Sequence, residues 1–210
     1  MQAVDILKAE HRRIETVLDA LDAMVARWAD GAGAADAAAD ALAVTTFLRE
    51  YADQCHHGKE EAHLFRFMEQ RGFSPEQGPT AVMRHEHEIG RAHVRGMRAA
   101  AELMAAGVNV TEAGAPYAAH AEAFGILLRE HIQKEDQVLF RFAQQCLTDA
   151  DQRELQGLFA EVQAQQVADG VIGRADETVA RLAATYGVAV RTGDGAEVNA
   201  GAAFCCPHGR

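Results

Sequence analysis

Four helix-length segments each carry a histidine inside an otherwise apolar seam, and that placement limits the fold more than any other feature. In the run 3–29 the seam is Val4, Leu7, His11, Ile14, Leu18, Leu21, Val25 and Trp28. Only an α-helix brings this alternation of threes and fours onto one face. The run from about 35 to 70 gives Phe47, Gln54, His57, Glu61, Leu64 and Met68. The run 79–106 gives Met83, His87, Gly90, Val94, Met97, Ala101 and Met104. The run 116–147 gives Tyr117, Ala121, Phe124, Leu128, His131, Glu135, Val138 and Phe142.

Glycine and proline fall between these runs, at GAG (31–33), RGFSPEQGPT (71–80) and AGVNVTEAGAP (106–116). Pro75, Pro79, Pro116 and Pro207 lie in connections, at helix starts or in the tail, so none interrupts a helix. Strand signals are absent. Four long helices joined by short turns predict an all-α, up-down-up-down four-helix bundle over residues 1–148. Residues 149–187 add one or two amphipathic helices packed on or capping the bundle. They open at Thr148-x-x-Asp151 and carry an apolar face of Leu155, Leu158, Phe159 and Val162. The Gly/Ala-rich residues 188–210 are expected to form a flexible tail.

The formal net charge of −11 argues against a nucleic-acid or anionic-membrane binder, since both need a basic surface. No apolar run approaches the roughly 18 residues of a membrane helix, and MQAVDILKAEHRR lacks the apolar stretch of a signal peptide. A cytoplasmic location is expected. The four cysteines are too scattered for a disulfide framework. Cys55 reads as a small buried apolar residue. The adjacent pair in Cys205-Cys206-Pro207-His208 misses the Cys-x-x-Cys spacing of a metal clamp and reads as tail thiols.

Nine of the ten histidines precede residue 150. The echo Leu7-x-x-Glu10-His11, Met83-x-x-Glu86-His87, Leu127-x-x-Glu130-His131 puts one histidine just past an apolar anchor on three helices. His-x-x-x-Glu recurs at His11/Glu15, His57/Glu61 and His131/Glu135, a spacing that leaves both side chains on one helical face. At ~1.5 Å per residue, His11 and His57 lie about 30–34 Å from the first turn, and His87 and His131 about 30 Å from the 106–116 connection. The four therefore share one layer of the core. Burying four imidazoles with Glu61 and Glu135 unpaired would cost several kcal/mol, which metal binding relieves. Mixed nitrogen and carboxylate donors suit iron, manganese or zinc, and two carboxylates suit two bridged metals.

The surrounding motifs EHRRIE, HHGKEEAHLF, GPTAVMRHEHEIGR and LLREHIQKEDQVLF resemble those of the hemerythrin-like, HHE cation-binding family over residues 3–147. The resemblance implies two non-haem iron ions, bridged by the carboxylates and by an oxo or hydroxo group. It makes His11, His57, His87 and His131 nitrogen ligands, with Glu61 and Glu135 as bridges. The chain departs from oxygen-carrying members at Arg91, where a fifth histidine is expected. Asp136 competes with Glu135 as the carboxylate of the fourth helix, and the seam favours Glu135. Two histidines per iron would leave each iron an open position.

Several neighbours have less determined roles. Tyr51, Tyr117, Glu15 and Arg91 are candidates to support the site, and His56 and Glu60 are less favoured substitutes for His57 and Glu61. Glu10, Glu86 and Glu130 read as helix surface, or as hydrogen-bond partners of ligand imidazoles. His85 and His93 face away from the seam and are expected in solvent. The expected function is reaction with, or sensing of, O2, peroxide or nitric oxide, through peroxidase, catalase-like or nitric-oxide-consuming activity. The alternatives are an iron- or oxygen-responsive regulatory module without turnover, reversible oxygen binding, iron storage, and an inert zinc bundle. Expected partners are these small ligands, with a second copy of the chain or a regulatory protein possible.

Overall fold

The computed structural model describes residues 2–29, 36–192 and 197–198. Helix α1 spans Ala3–Ala29. Helix α2 covers 37–70, with α-helical Ala37–Phe47, π-helical Leu48–His57 and Glu60–Leu64, and α-helical Phe65–Gln70. Helix α3 is Pro79–Ala105. Helix α4 covers 110–146, with the π-helical segment Glu135–Leu139 between Val110–Lys134 and Phe140–Cys146. These four make the bundle. The extension adds α5 (Asp149–Ala168) and α6 (Val171–Tyr186). No helix among the described residues is long and apolar enough to cross a membrane.

Local chemistry sets most boundaries. Thr148 accepts from the Asp151 backbone N–H while the Asp151 side chain accepts from Thr148, a reciprocal cap that starts α5. Helix α4 begins six residues earlier than expected, because the Asn109 side chain caps the Glu112 N–H at 2.9 Å. Pro116 consequently sits inside the helix, not at its start.

The core is two apolar clusters separated by a polar layer. One contains Ile14, Leu18, Leu21, Val44, Met97, Phe124 and Leu128. The other contains Val4, Leu7, Leu64, Phe65, Met83, Leu139 and Phe140. His11 lies between Leu7 and Ile14, and His131 and Glu135 lie between Leu128 and Leu139, so the break between clusters is the shared histidine layer.

The three π-helical segments shift the seams. In α2, Gln54 is exposed, while Tyr51, Cys55, His56 and Glu60 are buried. In α4 the expected inward residues Val138 and Phe142 are exposed, and Leu139 and Phe140 replace them. Both shifts have one cause: a π turn closes i to i+5 instead of i to i+4, so each segment sets the following residues out of α-helical phase.

Helices α5 and α6 lie over the α1 and α2 side of the bundle. Asp40, buried on α2, accepts from Tyr186 at 2.5 Å and pairs with Arg181. Part of the expected tail is in place. Gly187 turns the chain in the left-handed region at φ 70°, and Val188 and Val190 then pack on the core. The Arg191 backbone donates to Thr16 Oγ1 at 3.0 Å and its guanidinium pairs with Asp19 at 2.8 Å. Val190–Arg191 also pairs antiparallel with Glu197–Val198, a short strand pair that no strand signal announced. Cys205, Cys206 and His208 lie outside the described residues. Replacing Asp40→Ala leaves Arg181 and Tyr186 without their shared acceptor and is expected to lower stability by about 1–3 kcal/mol in urea denaturation.

Candidate metal centre

Five histidines and two glutamates meet in the polar layer. His57, Glu60, His87 and His131 form one group of buried donor atoms within 4.8 Å of one another, and His11, His56, Glu60 and Glu135 form another. Glu60 belongs to both. One of its oxygens lies 3.7 Å from His56 Nε2 and the other 3.6 Å from His87 Nε2. Glu135 repeats the arrangement, with one oxygen 3.2 Å from His11 Nε2 and the other 3.2 Å from His131 Nε2. Each carboxylate thus offers one oxygen to each half of the site.

The outer edges of all five imidazoles are fixed in one way. His11 Nδ1 donates to Asp136 at 2.9 Å, His56 to Glu10 at 2.9 Å and His57 to Asp53 at 3.3 Å. His87 Nδ1 donates to Glu61 at 2.6 Å and His131 to Glu86 at 2.9 Å. Every one of these carboxylates also meets a cation. Arg12 pairs with Asp136, the fully buried Lys59 with Glu10, and Lys134 with Glu86. Arg91 serves both Asp53 at 2.8 Å and Glu61 at 2.9 Å. A carboxylate on Nδ1 fixes the proton there and leaves Nε2 as a bare lone pair aimed inward, the orientation of a metal-ligating histidine.

That arrangement fits metal ions and little else. His87 Nε2 and His131 Nε2 face each other at 3.1 Å, so in the absence of metal a proton on His131 lies between them, the place a shared cation would take. Two nitrogens about 2.1 Å from one metal and at right angles would lie about 3 Å apart. Among the described residues, His11 Nε2 and all four oxygens of Glu60 and Glu135 are buried without a hydrogen-bond partner, the close approaches above being poorly aligned for one. Burial and the adjacent Glu135 charge push the Glu60 carboxyl well above its usual range. Glu135, in spite of burial, is held well below that range by His131 and His11. Burial opposes charge on His131, yet Glu135 and Glu86 outweigh it and push the imidazole up to about 9. Burial pulls His56 down to about 4, against the attraction of Glu10. The strain of opposed charges and orphaned oxygens in one apolar core is what bound cations remove.

The expected residues fall unequally. His11, His57, His87, His131 and Glu135 all reach the inner layer. Glu61 does not: its side chain is 29% exposed and holds His87 from outside, while Glu60, at 0%, takes the central place. The π-helical segments on either side of residues 58–59 bring His56, His57 and Glu60 inward together and turn Glu61 out. His56 consequently supplies a fifth imidazole, so the donors divide as three histidines and two, not as two and two. Asp136 holds His11 from behind and is absent from both donor groups.

Among the supporting candidates, Arg91 braces His57 and His87 through Asp53 and Glu61. Tyr51 is buried near Glu10 and Arg13, with its phenol pushed up by burial. Tyr117 lies away from the site in the larger apolar cluster, bonded to the Ala41 carbonyl and against Trp28. Glu15 pairs with Arg12 at 3.0 Å and joins neither donor group. Glu10 and Glu86 each grip a histidine of a different helix, and Glu130 is exposed. His85 is exposed, whereas the half-buried His93 meets His120 at 3.2 Å. The missed signal was a second i, i+4 pair, His56/Glu60; the burial of Lys59 against Glu10 shows only in the fold.

The family model for the hemerythrin HHE cation binding domain matches residues 2–143. The chain belongs to this family. No curated protein and no solved structure matches it. As an HHE protein it has a cation-binding core, and its five imidazoles and two carboxylates are donors suited to that task.

The two candidate glutamates separate cleanly by experiment. Glu60→Ala removes a donor common to both groups and is expected to drop bound metal below half of wild type. Glu61→Ala removes the brace on His87 and one of the acceptors of Arg91 but no inner donor, and is expected to keep the full metal content, with affinity about 10- to 100-fold weaker. Metal analysis of the two purified variants against a chelator series checks both.

Proposed function

We propose that this HHE protein holds two iron ions in the shared layer and reacts with, or senses, O2, peroxide or nitric oxide. One observation carries the reading. A cavity of about 420 Å³ runs between α2, α3 and α4 and ends on His57, His87 and His131. His11 and His56 are not among its lining residues. Small reactants would therefore meet the site from its three-histidine side, while α5 and α6 lie over the α1 and α2 side.

Bound there, iron would supply a ferrous–ferric couple and Lewis acidity. The chain's residues supply the setting. Leu48, Ala52, Phe124 and Leu128 keep the approach apolar, which favours sparingly soluble diatomic molecules over bulk water. Glu60 and Glu135 hold the two halves together, each through both oxygens. The five carboxylates on Nδ1 retain the imidazole protons on the outer edge, so that Nε2 stays available and the charge of the centre is spread over the carboxylate and cation pairs. Tyr51, Glu10 and Lys59 lie together behind His56 and are the chain's route for a proton or an electron on that side.

Anaerobically purified protein loaded with ferrous iron is expected to bind about two irons per chain. Its visible absorption is expected to change in milliseconds to seconds on mixing with hydrogen peroxide or nitric oxide, with consumption of the reactant over repeated additions. Reversible O2 binding without turnover would contradict the reactive reading. Binding of iron with a change in oligomeric state and no reaction would favour the regulatory alternative.

A further inference from the structure

The cavity is much larger than a diatomic molecule or peroxide needs. Its 420 Å³ is the room of about fourteen waters at ~30 Å³ each, within the range of pockets that hold organic ligands. Along α3 it extends from His87 to Glu102, about 22 Å at 1.5 Å per residue. Leu48, Ala52, Val94, Phe124, Leu127 and Leu128 form its apolar walls.

Its lining includes a cluster of guanidinium groups. Four arginines line the cavity, Arg49, Arg91, Arg95 and Arg98, against the three carboxylates Asp53, Glu86 and Glu102, in a chain of net charge −11. Two cross-links join α2 to α3 along this opening: Arg98 donates to Thr46 at 3.1 Å, and Arg91 to Asp53 at 2.8 Å. Between them lie Arg95 on α3 and Arg49 on α2, one on each side. Arg91 is saturated by Asp53, Glu61 and Glu88, and Arg98 is paired with Glu102 at 2.7 Å. Glu86 is taken by His131 and Lys134. Arg49 shares Glu50 with Arg174. Arg95 is exposed and makes no hydrogen bond or ion pair among the described residues. Arg95 therefore holds the uncompensated positive charge of the lining, about 12 Å along α3 from His87.

We propose that this cavity binds an apolar monocarboxylic acid of about ten to fifteen non-hydrogen atoms. The carboxylate sits between Arg49 and Arg95, and the hydrocarbon body lies along α3 toward His57, His87 and His131. Guanidinium groups match a carboxylate geometrically, and an Arg95 without an acid partner supplies the charge to hold one. The proposal adds an organic ligand to the site proposed above, but it rests on the cavity and not on which metal the site holds.

Titration calorimetry of the full chain with octanoate tests it, run on metal-free and on iron-loaded protein. Octanoate is expected to bind saturably at one site per chain. Acetate, 1-octanol and octylammonium are each expected to bind at least about tenfold more weakly. The double variant Arg49→Ala/Arg95→Ala, which alters only exposed side chains, is expected to weaken octanoate about tenfold while leaving 1-octanol unchanged. Leu127→Trp, at a half-buried wall position, is expected to abolish octanoate binding while helix content stays as in wild type. Absence of saturable octanoate binding at millimolar concentration would overturn the proposal. So would equal affinity for octylammonium, or unchanged octanoate binding in the double arginine variant. Octanoate binding to a protein that takes up no iron would leave this inference standing and remove the di-iron reading.

Discussion

Two carboxylates share one buried layer with five imidazole nitrogens, and the rest of the molecule is arranged around that electrostatic problem. Among the described residues, Glu60 and Glu135 have no hydrogen-bond partner for any of their four oxygens. Unmetallated, the layer sets one raised carboxyl against one ionised neighbour and an imidazole held protonated. An apolar core does not accept such a group without compensation of several kcal/mol. Cation binding among the seven side chains supplies it, and the proposed pair of metals would use the one oxygen that each carboxylate presents to each half. The carboxylates behind Nδ1, backed by Arg12, Lys59, Arg91 and Lys134, spread the resulting charge outward. Folding and metal binding are then one linked equilibrium, with the bundle bringing the donors together and the metal relieving their repulsion.

The histidine layer was legible in the sequence because α1, α3 and the first part of α4 are regular α-helices. In them the alternation of threes and fours carries straight through, and His11, His87, His131 and Glu135 fall where spacing places them. Helix α2 breaks that rule. Its π-helical segments change the phase between Phe47 and Leu64, which is why Glu61 and not Glu60 looked inward and why His56 looked like a bystander. The same effect after Glu135 turned Val138 and Phe142 outward. No residue type marks a π turn as proline marks a kink. Its trace in this sequence is indirect, in a doubled His-x-x-x-Glu. The docking of residues 188–192 escaped notice for a different reason: it depends on one turn at Gly187 and on Thr16 and Asp19, far away in the chain.

The two sides of the bundle have become different. Helix α6 is tied to α1 and α2 through Arg13 with Asp176, Glu50 with Arg174, and Asp40 with Arg181 and Tyr186, and α5 to the start of α1 through Gln152, which accepts from the Ala3 backbone. On the other side α2, α3 and α4 leave a chamber leading to three of the histidines. Closure on one side and access on the other give the centre a direction, which four symmetric helices alone would not.

The central claim is that Glu60 and Glu135 bridge two metal ions, one held by His57, His87 and His131 and one by His11 and His56. The most direct measurement is crystallography of the iron-loaded protein, with anomalous data collected on both sides of the iron absorption edge. The account predicts two iron peaks, one in each histidine group, both in contact with Glu60 and Glu135, and Glu61 touching neither. A single peak, or a peak ligated by Glu61 with Glu60 turned away, would contradict it.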